Sequence, residues 1–301
     1  MQILPEVAEA IAAGRPVVAL ESTIISHGLP RPRNLQAARD FEKVLRERDV
    51  VPATIAVLDG VPRIGLDDGD LERVALDESV VKVSVRDLPV AMATGASGAT
   101  TVAGTAYLAA RAGIRVFSTG GLGGVHRGAS ATFDESADLT TLAQTPITVV
   151  SAGVKSILDI PATLERLETL SVTVVGLGTD QFPSFWLTES GETLDWAVPD
   201  PAAVAAVMAA NDALDRRSAI LVANPLPYDK QLDPHLHHEA LRQALAEADR
   251  DGVTGKEVSP YLLARIVELT SGSSLEVNLD IAANNIVVGA EIALAWSARR
   301  S

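Results

Sequence analysis

The chain has 301 residues, of which 47% are apolar and 4% aromatic, with a formal charge of −14 and no cysteine. That length can bury a substantial core, and the composition is globular rather than disordered. The acidic balance, with no Lys/Arg cluster interleaved with aromatics, argues against nucleic-acid binding, and the lack of cysteine excludes disulfides, thiolate catalysis and thiolate-held metal.

In chain order, MQILPEVAEAIAAGRPVVAL carries Glu6 and Glu9 without a basic leader, and no uncharged apolar stretch long enough to span a membrane follows. The sequence therefore predicts a cytoplasmic chain with no membrane contact. Apolar, β-branched runs predict strands at Pro16–Leu20, Thr54–Leu58, Val80–Val83, Ile114–Ser118, Ile147–Ser151, Val172–Val175 and Ala219–Ala223. Helical spacing predicts helices at Asn34–Arg48 with Asn34 as N-cap, Ala99–Ala112, Leu139–Ala143, Ile160–Leu170, Ala202–Arg216, Pro234–Asp249, Pro260–Leu269 and Leu279–Ala298. Strand and helix alternate, so the fold expected is α/β: a three-layer α/β/α sandwich on a largely parallel sheet. Asp59-Gly60 predicts a small hairpin decorating that sheet. Residues 179–201, with Phe182, Phe185, Trp186 and Trp196 in a polar background, have no regular period and are a candidate lid or subunit contact. No linker or repeat divides residues 1–301, which are expected to form a single domain.

Ligands of open α/β sheets bind where strands deliver their carboxyl ends. Glu21 follows the first strand, Lys82 lies in or at the end of the third, STGGLGGVHRG follows the fourth, and Lys155 follows the fifth at what reads as a helix start, so parallel strands would bring all four to one edge. The chain has five lysines against a majority of arginines, and a partly buried lysine can become a neutral amine that attacks a carbonyl. A structural role as cap, ion pair or snorkelling cation is the alternative at Glu21 and Lys82. GASGATTVAGT runs into a helix with hydroxyls at Thr100 and Thr101 and lacks the GK[ST] ending of a nucleotide loop, so it suits a single phosphate monoester. Asp134, Glu135 and Asp138 are hard oxygen donors that suit Mg²⁺ or Mn²⁺, or else a capped helix start. His235, His237 and His238 are read as structural, on a polar surface helix.

Taken in order, ALESTIISHGLPRPRN, VPATIAVLDG, KVSVRDL, GATTVAGT, STGGLGGVHRG, SADL, AGVKSILDIPATLERLET, ANPLP, GKEVSPYLL and SLEVNLDIAANN resemble the pseudouridine-5′-phosphate glycosidase, or indigoidine synthase A-like, family. The resemblance covers Val18 to Leu294. It implies a single α/β/α domain, a homotrimer, a divalent cation usually given as Mn²⁺, and reversible cleavage of the C–C glycosidic bond between ribose 5-phosphate and a nucleobase. It further implies Lys155 as covalent nucleophile, Glu21 as proton donor and Asp134 as metal ligand. Sugar-phosphate contacts would come from Lys82, Thr101 and Val102 at the helix start, and Ser136, Ala137 and Asp138, with His126 and Asn278 near the base. Val85, Glu135, Arg31, Arg33 and Trp186 depart from the pattern of pseudouridine enzymes. Those departures keep open a C-glycosynthase acting on an aromatic natural-product acceptor. A non-catalytic sugar-phosphate sensor would need neither Glu21 nor Lys155.

Overall fold

The computed structural model describes residues 1–300, the side chains of Lys256 and Arg300 excepted. Eleven strands form one sheet: β1 Gln2–Ile3, β2 Val17–Leu20, β3 Val51–Leu58, β4 Val61–Ile64, β5 Val81–Val83, β6 Gly98–Thr100, β7 Val116–Ser118, β8 Thr148–Ser151, β9 Thr173–Leu177, β10 Ala197–Val198 and β11 Ile220–Ala223. Their order is β1-β4-β3-β2-β7-β8-β11-β9-β10, with β5 and β6 branching from β3. Every predicted strand is present, and pairing is parallel except where β3 meets β4 and β6.

Alternate strand residues face opposite layers, as a pleated backbone requires. Val18, Leu20, Val116, Val150, Val175 and Val222 pack with helices Arg33–Arg46, Pro201–Ala213 and Ser273–Arg300. Val17, Ala19, Phe117, Val149, Leu221 and Ala223 pack with helices Pro5–Ala12, Val102–Arg111, Ile160–Thr169 and Pro234–Arg250. The result is the expected α/β/α sandwich. By length and apolarity the last helix could cross a membrane, yet Ile286, Ala290 and Ile292 are buried in the layer beneath it, and Ile281 is buried in the opposite core cluster. Each buried isoleucine contributes about 1.5–3 kcal/mol by leaving water, which is more than helix propensity supplies.

The sheet forks at β3. Residues Val51–Thr54 pair with β2 in parallel, whereas Ala56 and Val57, farther along the same edge, pair with β6 in antiparallel. β5 then joins β6 in parallel, so β5 and β6 form a flap running opposite to β2. The Asp59-Gly60 turn, left-handed at both residues, makes the expected hairpin. It is no ornament, because β4 continues the main sheet to β1.

Three predicted helix starts differ, the last helix beginning at Ser273 rather than Leu279. The segment at Ala99 is β6 first, and its helix begins at Val102 with Thr101 as cap. Asn34 does not cap a helix: it is buried, and its amide donates to the Ile25 and Ala75 carbonyls, which tie three segments together.

Candidate active site

The crotch of the fork gathers the polar groups. Ser22 hydroxyl donates to the Ile55 carbonyl at 2.6 Å and accepts from Thr100 N–H at 2.8 Å, which joins the end of β2 to β3 and β6. Glu21, the first residue beyond β2, sits beside this joint. Thr119, the first beyond β7, donates its hydroxyl to Glu21 Oε1. Burial drives the Glu21 carboxyl above the ordinary carboxylate range; the Lys155 charge and the Thr119 hydroxyl oppose this, Asp138 adds to it, and Lys82 opposes it.

Lys155 does not open a helix. It lies in the irregular segment after β8, and the next helix begins at Ile160. Its backbone N–H donates to the Leu122 carbonyl at 3.2 Å and its Nζ to the Gly121 carbonyl at 2.9 Å. Burial drives the amine below the ordinary lysine range, against the charges of Glu21 and Asp138 and with the help of Lys82. Desolvation, the partial burial expected from sequence, therefore favours the free amine together with Lys82, while no helix terminus contributes. Each of the pair appears in the other's electrostatic environment, a carboxyl biased toward its acid form facing an amine biased toward its base form. Such a pair can give a proton and attack a carbonyl-type carbon within one site.

A brace surrounds the pair. Asp138, which is buried, accepts from Ala103 N–H at 2.9 Å and from Gly123 N–H at 2.8 Å. It thereby locks the start of helix Val102–Arg111 to the glycine loop. Ser136 caps the helix that begins at Ala137 by accepting from Asp138 N–H at 3.2 Å. A Cβ at Gly123 would overlap the Ser136 hydroxyl, so that position must be glycine. A Cβ at Gly121 would likewise lie 2.5 Å from the Phe185 ring. Thr101 accepts from Gly104 N–H at 3.3 Å, and Val102 opens the helix. Lys82 reaches the site from mid-strand on the antiparallel flap rather than from the end of a parallel strand, and its charge acts on Glu21, Lys155 and His27. Asn278 approaches from the last helix, its Oδ1 3.5 Å from where a Gly120 Cβ would lie. Glu21, Lys155, Lys82, Thr101, Val102, Ser136, Ala137, Asp138 and Asn278 thus belong to one connected cluster around the strand ends.

The carboxylates of FDESADL do not converge. Glu135 pairs with Arg166 at 2.8 Å, and both Asp138 oxygens are taken by backbone donors. Asp134 remains, with His126 Nδ1 3.7 Å from its Oδ2 and His126 N–H donating to its carbonyl at 3.0 Å. Among the described residues no group of three metal-ligating side chains occurs. The residues present fit a cation held by one carboxylate and completed by water or phosphate oxygens, not one enclosed by protein.

Other expectations change. Phe182, Phe185 and Trp186 are buried core, so residues 182–186 are no lid; Trp196 alone of those four aromatics is 72% exposed. His235 is exposed as expected, but His237 is buried on the inner face of its helix. Arg31 bonds the Ala75 carbonyl and Glu78, Arg33 pairs with Glu276, Val85 packs on the core, and Trp186 donates to the Ser274 carbonyl at 3.0 Å. Each departure from the family pattern already has a structural partner.

Sequence reading missed Ser22, Thr119 and Asn285. Asn285 is buried, donates to the Thr119 carbonyl at 2.7 Å and that of Gly120 at 3.2 Å, and accepts from Asn224 at 2.8 Å. An asparagine on the apolar face of the last helix was the available signal.

The sequence model of the family described as indigoidine synthase A like protein matches residues 6–295. Pseudouridine-5′-phosphate glycosidases of Frankia alni and Saccharopolyspora erythraea are 63% and 60% identical over 97% and 98% of this chain, spanning 81% and 97% of those proteins. The prealnumycin C-glycosynthase AlnA, solved in complex with ribulose 5-phosphate, is similar with a TM-score of 0.93 at 36% identity, over 100% of this chain and 98% of that one. An indigoidine synthase A-like protein of Thermotoga maritima gives 0.87 at 35% identity over 94% of each. Agreement over nearly the whole chain, in sequence and in fold, settles its kinship: the chain belongs to the indigoidine synthase A-like family.

Proposed function

We propose that this chain reversibly cleaves the C–C glycosidic bond of pseudouridine 5′-phosphate, giving uracil and ribose 5-phosphate through an imine on Lys155. The observation that carries the reading is the pairing of a partly buried, acid-biased Glu21, held by the Thr119 hydroxyl, with a partly buried, base-biased Lys155, held by the Gly121 carbonyl. A C-glycoside cannot simply expel its base, because the bond would leave a carbanion. The ribose ring opens as the C1′–O4′ electrons pass to O4′, which takes a proton, and the Lys155 amine adds to C1′. Glu21 then protonates the base carbon. The C1′–C bond electrons return to the base while the nitrogen lone pair forms the C1′=N⁺ bond. Water adds to that iminium and releases ribose 5-phosphate and the free amine.

The 5′-phosphate is assigned to Lys82 and the helix-start N–H at Val102, with Thr101 and the Ser136–Ala137 helix start beside it. Asp138 serves as brace more than as ligand, since its oxygens already accept backbone bonds. His126 and Asn278 are assigned to the base. Asp134 would hold Mn²⁺ or another divalent cation, which when bound supplies positive charge against sugar-phosphate oxygens. We also infer a homotrimer, for which the half-exposed Val81 on edge strand β5 and the exposed Val90 and Met92 offer apolar surface.

The test is borohydride trapping of ribose 5-phosphate followed by peptide mass analysis. The label is expected on Lys155 and absent in Lys155→Ala that keeps its fold; undiminished labelling of the variant sinks the reading. Uracil release from pseudouridine 5′-phosphate with Mn²⁺ separates this reading from an aromatic-acceptor C-glycosynthase, which would be trapped by ribose 5-phosphate yet release nothing.

A further inference from the structure

His237 is buried at 2% exposure on helix Pro234–Arg250, far along the chain from every segment that builds the site. Its Nε2 lies 2.8 Å from the hydroxyl of Ser156, the residue after Lys155, and its Nδ1 has no hydrogen-bond partner among the described residues. Burial, with His238 and Arg127 nearby, pushes the imidazole down to about 4, so it is neutral at physiological pH. A neutral imidazole with one bonded nitrogen serves as a fixed post, not as an acid or base.

Two chains of contact lead from this post to the two ends of Lys155. The first is the hydrogen bond to Ser156, which anchors the backbone beside the lysine. That turn is closed by Leu158 N–H donating to the Lys155 carbonyl at 2.9 Å, and Arg127 donates to the Ser156 and Ile157 carbonyls, both at 3.2 Å. The second is aromatic. His237 stacks obliquely on Trp186 with centroids 6.0 Å apart, Trp186 meets Phe185 edge-on at 5.0 Å, and the Phe185 ring lies where Gly121 has room for no side chain. Gly121 supplies the carbonyl that accepts from Lys155 Nζ.

We propose that His237 is a positioning residue for the Lys155 nucleophile, holding its backbone through Ser156 and the acceptor of its amine through the Trp186–Phe185–Gly121 contacts. This rests on the function proposed above and adds a residue that never touches substrate. Misplacing a nucleophile by a fraction of an ångström lowers the rate of its step without weakening substrate binding.

The experiment compares the single-turnover rate of borohydride-trapped imine formation from ribose 5-phosphate, and the kcat and KM for pseudouridine 5′-phosphate, in the full-length chain and in His237→Leu, Ser156→Ala and His237→Gln. Glutamine can place a polar atom near the position of Nε2. The expected result is a loss of about 10- to 100-fold in trapping rate and kcat for His237→Leu and Ser156→Ala, with KM nearly unchanged, and recovery of most of it in His237→Gln. Ser156→Ala removes one hydroxyl and guards against misfolding of the leucine variant. Wild-type rates in Ser156→Ala and in a folded His237→Leu overturn the positioning role alone. A wild-type chain that traps no sugar overturns the nucleophile itself, and with it both readings.

Discussion

Replacing Asp138 by asparagine tests the brace and the electrostatics of the site together. The carboxylate accepts two backbone N–H bonds, from Ala103 and Gly123, while buried. An amide keeps one acceptor oxygen and turns an NH₂ toward the other donor, so one bond is lost and one buried N–H is left unpaired. Hydrogen bonds to charged groups contribute about 1.5–3 kcal/mol, and the orphaned donor adds a further penalty, for a cost of about 2–4 kcal/mol. With an unfolding entropy of about 2.1 cal/mol/K per residue over 301 residues, each kcal/mol shifts melting by about 1.6 °C, so it should fall by roughly 3–6 °C. The charge change has its own signature. Asp138 raises the pKa of both Lys155 and Glu21, so its removal lowers both. Imine formation needs the free amine, so its rise with pH should begin at lower pH. Cleavage needs the Glu21 proton, so its decline at high pH should also begin sooner. Calorimetry and the pH dependence of trapping and of uracil release read these effects. Unchanged melting together with unmoved pH limbs would refute the assignment of Asp138 as the charged brace of this site.

Glu21→Gln should retain borohydride trapping of ribose 5-phosphate while uracil release falls by about 10²–10⁴-fold, measured by steady-state assay; equal loss of both would remove the proton-donor role. Thr119→Val removes a hydroxyl that favours the ionised carboxylate, so Glu21 should hold its proton to higher pH and the alkaline limb of cleavage should move upward in a pH–rate profile. Asp134→Ala should abolish any dependence of ribose 5-phosphate affinity on Mn²⁺, read by titration calorimetry with and without chelator; a variant still responsive to Mn²⁺ places the cation elsewhere.

The sheet was legible because its strands are short, β-branched and buried on both faces, as at Thr148–Ser151, where no exposed residue blurs the pattern. Glu21 and Lys155 were legible because each polar residue stands just past such a run. The fork was not: Gly98–Thr100 is three small residues whose strand character comes from pairing with β3 and β5, a long-range circumstance invisible to local propensity. Asp134, Glu135 and Asp138 could be read as a ligand set or as a capped helix start, and sequence could not choose because it says nothing of Arg166 or of the Ala103 and Gly123 N–H groups that claim two of them. Phe182, Phe185 and Trp186 looked like a lid because their burial depends on a glycine loop and a histidine dozens of residues away.

The fork gives the site two foundations of different connectivity. Glu21 and Lys155 stand at the ends of β2 and β8, within an unbroken run of parallel neighbours, whereas Lys82 rides on a flap whose ladder to the main sheet involves Ala56 and Val57. Under the proposed roles, the phosphate-binding cation and the bond-breaking pair sit on separate ladders pinned together where Thr100 meets Ser22 and Ile55, so a substitution on the flap can alter one without rebuilding the other.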